Sequence, residues 1–329
     1  MRRRDFISAV GSAGIIAGWQ TRSVARVTNG RPLIIYIGAG TTASASRYVD
    51  AFRAGLEELG LRDGKDIDIR VRLAESRIER LPGLAEEAVS LQPALIVAGS
   101  SDAAVAVKKL TSSIPIISGA LANAEKLGLV MSEARPGGNV TGVMPYLAGL
   151  PSKQIQLLRE IVPKANKIGL LGNMNDPKAG PQRDEMMKTA EKLGLTVILP
   201  PLNGPEDLAT AIQALSNDGV DGVLVLETTM LLSARGQIAT LIADRRIPAV
   251  YGYREHVAAG GLISYGVDLV WCWRRVATFA QKILGGTPPA DLPLEFPTKV
   301  QMAINLKAAN ALGITIPPIL IGTADEVIE

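Results

Sequence analysis

The chain has 329 residues, of which 47% are hydrophobic, and a formal net charge of +3. Residues 1–25 hold four arginines and one aspartate, so the rest of the chain carries 31 basic and 31 acidic side chains. A neutral chain of about 300 residues gives no indication of nucleic-acid binding, and its length favours two lobes over a single core.

The first 25 residues have the composition of an export signal. The chain begins Met1-Arg2-Arg3-Arg4-Asp5-Phe6-Ile7, and an uncharged stretch rich in Ala, Gly and Ile runs from Ser8 to Thr21. A cationic start, a short apolar run and small residues before a cleavage point are typical of signal peptides. The pair Arg3-Arg4 followed by Phe6 and Ile7 resembles the twin-arginine type, so we expect export to the periplasm. The alternative, an amphipathic N-terminal helix, is disfavoured by the glycines within the run.

Short apolar runs alternate with helical patterns along the rest of the chain. The runs that predict strands are Leu33–Ile37, Ile67–Val71, Leu95–Ala98, Ile114–Ser118, Ile168–Leu171, Leu195–Leu199, Val223–Leu226, Ile247–Tyr251 and Leu262–Tyr265. Between them apolar residues recur at helical spacing, as in Tyr48, Phe52 and Leu56. This alternation predicts an α/β fold of parallel sheets with helices on both faces.

The strand series contains an internal repeat. Leu59-Gly60-Leu61 matches Leu193-Gly194-Leu195, and Ile114-Pro115-Ile116-Ile117 matches Ile247-Pro248-Ala249-Val250, at offsets of 134 and 133 residues. We therefore expect two doubly wound parallel-sheet lobes with a cleft between them. The first lobe is expected at 31–143 plus about 267–297 and the second at 144–266, while the lobe of the C-terminal segment 298–329 stays open.

Ligands of open α/β sheets bind at the carboxyl ends of the strands, so the residues that follow the strands are the candidates for a site. The predicted ligand-binding residues are Thr41, Thr42, Ser100, Ser101, Asp102, Ser118, Asn173, Asn175, Thr228, Tyr253 and Asp268. Hydroxyls beside helix starts suit a carboxylate, and an acid suits an ammonium group, so an amino-acid-like solute is expected. The same residue types also cap helices when no ligand is present, and that reading stays open.

The loop Gly38-x-Gly40-x-x-Ala43 fits the dinucleotide fingerprint, so an exported NAD(P)-dependent oxidoreductase is the alternative function. The second strand ends without a clear acidic residue, in Ile69-Arg70-Val71-Arg72, which weakens this alternative. The chain holds a single cysteine, Cys272, and a single histidine, His256. A His/Cys metal cluster is therefore impossible, and we expect neither a metal, a cofactor nor catalysis.

Several stretches of the chain form specific motifs. They are residues 2–7, Arg135-Pro136-Gly137-Gly138-Asn139-Val140-Thr141-Gly142, Arg254-Glu255 with Ala259–Gly266, Pro297-Thr298-Lys299 with Ile304–Lys307, and Ile316-Pro317-Pro318 leading to Ala324–Glu329. In these stretches, and almost end to end, the chain resembles one family of ABC-transporter substrate-binding proteins with the type I periplasmic-binding fold. The resemblance implies capture of a small solute for an inner-membrane ABC permease. Family members are associated with amino-acid-like ligands, including aromatic ones.

The chain departs from this family in the predicted ligand loops. Gly99-Ser100-Ser101-Asp102-Ala103 replaces Gly-Thr-Pro-Ala-Ala, and Ser118–Asn123 stands where the family tends to have Gly-Asp-Pro. Asn173-Met174-Asn175-Asp176-Pro177 replaces Asn-Pro-x-Asn-Pro. We expect an extracytoplasmic, monomeric solute-binding protein without nucleic-acid partners. Supply of a sensor instead of a permease stays open, and the identity of the solute does not follow from the resemblance.

Overall fold

The computed structural model describes residues 27–28 and 30–329. The predicted export signal at 1–25 lies outside the described residues. In the part that is described, two sheets form two lobes, and helices cover both faces of each sheet. This is the predicted fold class, which is confirmed.

The first sheet has six strands in the order β3-β2-β4-β5-β6, with β1 beside the start of β2. These strands are β1 (Val27–Thr28), β2 (Arg31–Gly38), β3 (Asp68–Leu73), β4 (Leu95–Ala98), β5 (Ile116–Ser118) and β6 (Val140–Gly142). All neighbours are parallel except β1, which pairs antiparallel with β2.

The second sheet has seven strands in the order β13-β12-β11-β10-β9-β7-β8. They are β7 (Lys167–Leu171), β8 (Thr196–Ile198), β9 (Gly222–Val225), β10 (Ala249–Tyr251), β11 (Ile263–Val267), β12 (Val300–Asn305) and β13 (Glu326–Ile328). Within the described range, β11 and β12 are the only antiparallel pair of this sheet. The C-terminal segment, whose lobe the sequence leaves open, thus adds β12 and β13 to the second sheet.

Twelve α-helices connect these strands within the described residues. They are α1 (Thr42–Glu58), α2 (Leu81–Ser90), α3 (Ser101–Lys108), α4 (Leu150–Ile161), α5 (Ala179–Lys192), α6 (Leu208–Asn217), α7 (Thr229–Ser233), α8 (Arg235–Asp244), α9 (Arg254–Ala258), α10 (Leu269–Leu284), α11 (Leu306–Leu312) and α12 (Pro318–Thr323). Three short 3₁₀ turns lie at Ile78–Arg80, Pro205–Asp207 and Pro289–Asp291. Among these helices, none is long and apolar enough to cross a bilayer.

The repeat in the sequence corresponds to a repeat in topology. The order β3-β2-β4-β5-β6 of the first sheet recurs as β8-β7-β9-β10-β11 in the second. Gly60 and Gly194, which end the matched helices α1 and α5, both have left-handed backbones, with φ of 82° and 66°. Glycine adopts that conformation without strain, so the two matched glycines serve the same helix-ending role.

Strand β2 shows why the strands of the first sheet are continuous apolar runs in the sequence. Ile34 and Tyr36 pack into a core with α1 and α10, whereas Ile35 and Ile37 pack on the opposite face into a core with α2 and α3. Alternate side chains of a strand point to opposite faces. Both faces are covered, so both sets must be apolar.

The chain passes between the lobes after β6, after β11 and before β12. Helix α10, which follows β11, returns to the first lobe and packs along α1. The contact is tight at Gly55, where a Cβ atom would lie 2.8 Å from the backbone oxygen of Arg274. Three separate crossings are the arrangement expected of lobes that hinge around a cleft.

Candidate functional site

The carboxyl ends of the parallel strands of both sheets meet at the cleft between the lobes. One space there, the outer cavity, has a volume of about 530 Å³. The first lobe lines it with Ser76, Arg77, Glu79 and Asp102, and the second lobe with Asn173, Asn175, Asp176, Asn203 and Glu206. A smaller space of about 50 Å³, the inner cavity, shares Ala39, Thr229 and Ser233 with it.

Asp102 and Asp176 bring one carboxylate from each lobe to the outer cavity. Asp176 is held in place, because its Oδ1 accepts from the Lys178 backbone N–H and its Oδ2 from that of Thr229, both at 2.9 Å. No donor within the described residues reaches the Asp102 carboxylate. Burial, and after it the negative charge of Asp176, raises the pKa of Asp102 to about 6, while Lys178 acts in the opposite direction. Asp102 therefore brings to the site a carboxyl group that has no hydrogen-bond donor among the described residues.

Lys178 brings a positive charge on a mostly buried side chain to the same region. It follows the loop after β7, its residue is only 9% exposed, and it lines the inner cavity. It also lines a third space of about 610 Å³, next to Asn123 and Tyr146. Its Nζ has no hydrogen-bond or ion-pair partner among the described residues. Its charge opposes the rise that burial causes in the pKa values of Asp102 and Glu227, so Lys178 interacts electrostatically with each of these acids.

Glu227, which lies shortly after β9, is the most buried acid among the described residues, with an exposure of 3%. Burial raises its pKa to about 8, so its carboxyl group is mostly protonated at neutral pH. Gln182 holds the backbone of Glu227 by accepting from its N–H at 2.8 Å and donating to its C=O at 3.2 Å. The side chain lies against Gly252, where a Cβ atom would come within 2.1 Å of the Glu227 Cγ. Only glycine leaves room for this acid.

Three aromatic rings form the wall of the inner cavity. Trp273 on α10 lies with its ring centroid 5.5 Å from that of Tyr36 and 6.4 Å from that of Tyr48. The Tyr48 hydroxyl is buried and has no hydrogen-bond partner among the described residues. Gly99 lets the strand end approach this wall, because a Cβ there would be 2.7 Å from the Tyr36 hydroxyl.

Four of the predicted site residues are helix caps. Thr41 caps α1, with Ser44 completing the capping box. Ser100 accepts from Ala103 N–H at 3.2 Å, Thr228 from Leu231 N–H at 3.4 Å, and Asp268 from Val270 N–H at 2.8 Å. Each side chain thus satisfies one of the free N–H groups at a helix start. Their positions border the cleft, but these oxygens already have partners.

Other predicted residues hold the cleft loops in shape. The Ser101 hydroxyl accepts from Ala122 N–H at 2.8 Å, and the Ser118 hydroxyl accepts from Ala120 N–H at 3.1 Å. Asn173 Oδ1 accepts from Asn175 N–H at 2.9 Å. The exposed Thr42 donates its hydroxyl to Glu75 at 3.0 Å.

Tyr253 is buried in the core that includes α1 and α10, and its hydroxyl has no partner in the described part of the chain. Of the predicted residues, only Asp102, Asn173 and Asn175 line the outer cavity. The predicted ligand-binding residues do not include Lys178, Glu227 or Trp273. The sequence offered a signal for Glu227, which directly follows the predicted strand Val223–Leu226, and for Lys178, a charged residue directly after a loop that departs from the family pattern.

The loop Gly38-x-Gly40-x-x-Ala43 is a poor dinucleotide site. In such sites a phosphate binds the free N–H groups where the glycine loop opens a helix. Here Glu75 accepts from Thr42 N–H at 3.2 Å, and Ser44 accepts from Thr41 N–H at 2.9 Å. A Cβ at Gly40 would meet the Ser44 hydroxyl at 2.5 Å. A carboxylate and a serine thus occupy the helix start where a pyrophosphate would have to bind.

Contacts across the cleft link the two lobes directly. Arg47 on α1 forms an ion pair with Glu255 on α9, at 3.5 Å. The hydroxyls of Ser44 and Ser233 lie 3.4 Å apart, and the Asn123 side-chain amide donates to the Pro177 backbone oxygen. These contacts hold the lobes against each other on both sides of the inner cavity.

Comparison with known proteins gives consistent matches over most of the chain. Residues 41–328 match the model of a family described as ABC transporter substrate binding protein. A tyrosine-binding protein from Clostridioides difficile is 28% identical over 269 residues, which cover 82% of this chain and 77% of that protein.

Two solved structures are similar in fold. The crystal structure of an ABC domain in complex with L-Trp from Streptococcus pneumonia has a TM-score of 0.85 and 25% identity, and the match covers 91% of this chain and all of that one. A conserved domain protein from Vibrio cholerae has a TM-score of 0.85 at 23% identity, over 90% of this chain and 99% of that one.

Proposed function

Because this chain belongs to the ABC transporter substrate binding protein family, we propose that it captures an amino-acid-like solute in the cleft and delivers it to an ABC permease. The observation that carries the proposal is the meeting of opposite charges in one interlobe space. Asp102 and Asp176 line the outer cavity, and the unpaired Lys178 lies beside it in the inner one.

The charges suit the two ends of an amino acid. A carboxylate without a donor, such as that of Asp102, offers a partner for an α-ammonium group. The ammonium of Lys178 offers a partner for an α-carboxylate. Charge-assisted hydrogen bonds of both kinds are among the stronger polar contacts in proteins. One relative is named a tyrosine-binding protein, and a similar structure was solved in complex with L-Trp. Both findings support an amino-acid ligand for this chain.

The proposed role is binding without catalysis. His256 is buried, and burial lowers its pKa to about 4, so it is neutral at pH 7. Its Nε2 lies 3.2 Å from the Leu231 backbone oxygen. Cys272 is buried, and burial raises the pKa of its thiol. These groups are placed as packed side chains, which agrees with a protein that binds its solute and releases it unchanged.

Closure would transmit the bound state to the permease. The solute would add contacts to both lobes, so it would favour the arrangement in which Arg47 reaches Glu255. The permease would then recognise the closed protein. We further propose that the protein acts as a monomer and that residues 1–25 direct export by the twin-arginine route.

A thermal-shift screen with amino acids and small carboxylates tests this function. A solute present at 100 times its Kd raises the free energy of unfolding by about 2.7 kcal/mol, which is easily observed. At least one amino acid should raise the melting temperature, whereas NAD and NADP should not. A shift with a nicotinamide cofactor and with none of the amino acids would contradict the proposal.

A further inference from the structure

We propose that the solute is an amino acid with a cationic side chain, bound with its carboxylate toward Lys178 and its side-chain cation among the acids of the outer cavity. This inference rests on the proposed function and narrows it to one substrate class. The solutes named for the relatives above, tyrosine and tryptophan, have neutral side chains.

The inner end of the site is suited to bind an anion. Lys178 is nine-tenths buried, and no acceptor among the described residues reaches its Nζ. Charge-assisted hydrogen bonds to an ammonium group are among the stronger polar contacts in proteins. The inner cavity, which Lys178 lines, holds about 50 Å³, enough for a small group such as a carboxylate. A solute carboxylate there would supply the missing partner.

The outer end of the site is suited to bind a positively charged group. Four carboxylates line the outer cavity, those of Glu79 and Asp102 in the first lobe and those of Asp176 and Glu206 in the second. Among the described residues, the one guanidinium that lines it is that of Arg77. An α-ammonium next to Asp102 and Asp176 balances part of this charge. The carboxylates of Glu79 and Glu206, which are exposed at the mouth of the outer cavity, are available to bind a second cation, the side chain of the solute.

The walls do not favour an aromatic side chain. In the described part of the chain, none of the residues that line the outer cavity is aromatic, and asparagine amides are prominent. The aromatic wall of Tyr36, Tyr48 and Trp273 encloses only about 50 Å³. A buried ring needs roughly 150 Å³, the size of a cavity that accepts benzene. Of the inner and outer cavities, the volume suited to a side chain is therefore that of the acidic outer cavity.

Calorimetric titration of the wild-type protein tests the substrate class. The panel is L-arginine, L-lysine and L-ornithine against L-tyrosine, L-tryptophan and L-leucine, with putrescine as a dication that lacks a carboxylate. At least one basic amino acid should bind roughly tenfold more tightly than every neutral one, and more tightly than putrescine.

The outcomes separate the two proposals. Tighter binding of a neutral amino acid would overturn the cationic side chain and leave the proposed function standing. Tighter binding of putrescine would overturn the role of Lys178. If no amino acid binds, both proposals fail.

Substitutions of the acids at the mouth of the outer cavity test where the side-chain cation of the solute binds, and they do not disturb the core. Glu79→Gln and Glu206→Gln change exposed residues, so both proteins should fold normally. Each should weaken binding of the basic amino acid by roughly threefold to tenfold. Glu191→Gln, an exposed acid near the end of α5, is the matched control and should leave binding unchanged. Equal affinities for all four proteins would show that the mouth acids do not contact the solute.

Discussion

Asp102 and Asp176 approach the same cavity from opposite lobes, and burial together with the charge of Asp176 raises the pKa of Asp102 to about 6. Two like charges that face each other oppose closure of the cleft. A cation placed between them would remove that repulsion. The pair therefore gives a physical reason why a solute with an ammonium group would favour the closed state.

The first prediction concerns this pair. Asp176→Asn removes the negative charge and keeps one oxygen, which can accept from the Lys178 or the Thr229 N–H group but not from both. The pKa of Asp102 should fall below 6 in the variant, although its burial will keep it above the ordinary value. Carbon-detected NMR titration of the aspartate carboxyls measures this directly. A pKa that stays at about 6 would mean that burial alone sets it.

The second prediction concerns the pH dependence of stability at Glu227. Its folded pKa of about 8 lies above that of an ordinary glutamate, so the unfolded chain releases this proton at lower pH than the folded protein does. The contribution of Glu227 to the free energy of unfolding is therefore fully present below about pH 4.3 and is lost as pH rises toward about 8.

Glu227→Gln should remove this dependence. The stability of the variant relative to wild type should increase between pH 4.5 and 8 and change little above that. Urea unfolding at a series of pH values measures the difference, with Glu191→Gln as an exposed control. A constant difference across this range would show that the folded pKa of Glu227 is not raised.

The third prediction concerns closure. Small-angle scattering should give a smaller radius of gyration with bound solute than without it. Arg47→Ala should weaken solute binding only slightly, by up to about 1 kcal/mol, because Arg47 is half exposed and its ion pair with Glu255 spans 3.5 Å. An unchanged radius at saturating solute would argue for a rigid cleft and against a state that the permease recognises.

The fourth prediction concerns export. Changing Arg3 and Arg4 together to Lys keeps the positive charge but removes the twin-arginine pair. The precursor should then accumulate in the cytoplasm, as measured by immunoblotting of cell fractions. Normal periplasmic levels of the variant would refute the twin-arginine route, although not export by another pathway.

The fold was largely predictable from the sequence. Continuous apolar runs such as Leu33–Ile37 indicate strands covered on both faces, and the matched glycines Gly60 and Gly194 mark equivalent helix ends. The pairing of β12 antiparallel with β11 was not predicted, because local periodicity carries no information about which strands become neighbours.

The site was less predictable. Strand ends pointed to Asp102 and Asn173, but a sequence does not show whether a hydroxyl meets a ligand or caps its own helix. The cap at Ser100 illustrates this ambiguity. Lys178 was missed because its importance comes from burial and from the lack of a nearby partner. Both properties arise only when two lobes distant in sequence come together.

The central claim is that Lys178 and Asp102 bind the two charged ends of one amino-acid solute in the cleft. Calorimetric titration of the identified amino acid into wild type, Lys178→Met and Asp102→Asn tests it most directly, with thermal melting to verify that each variant folds. The account predicts saturable one-to-one binding to wild type, and a loss of at least about tenfold in affinity for each folded variant. Wild-type affinity in both folded variants would contradict it.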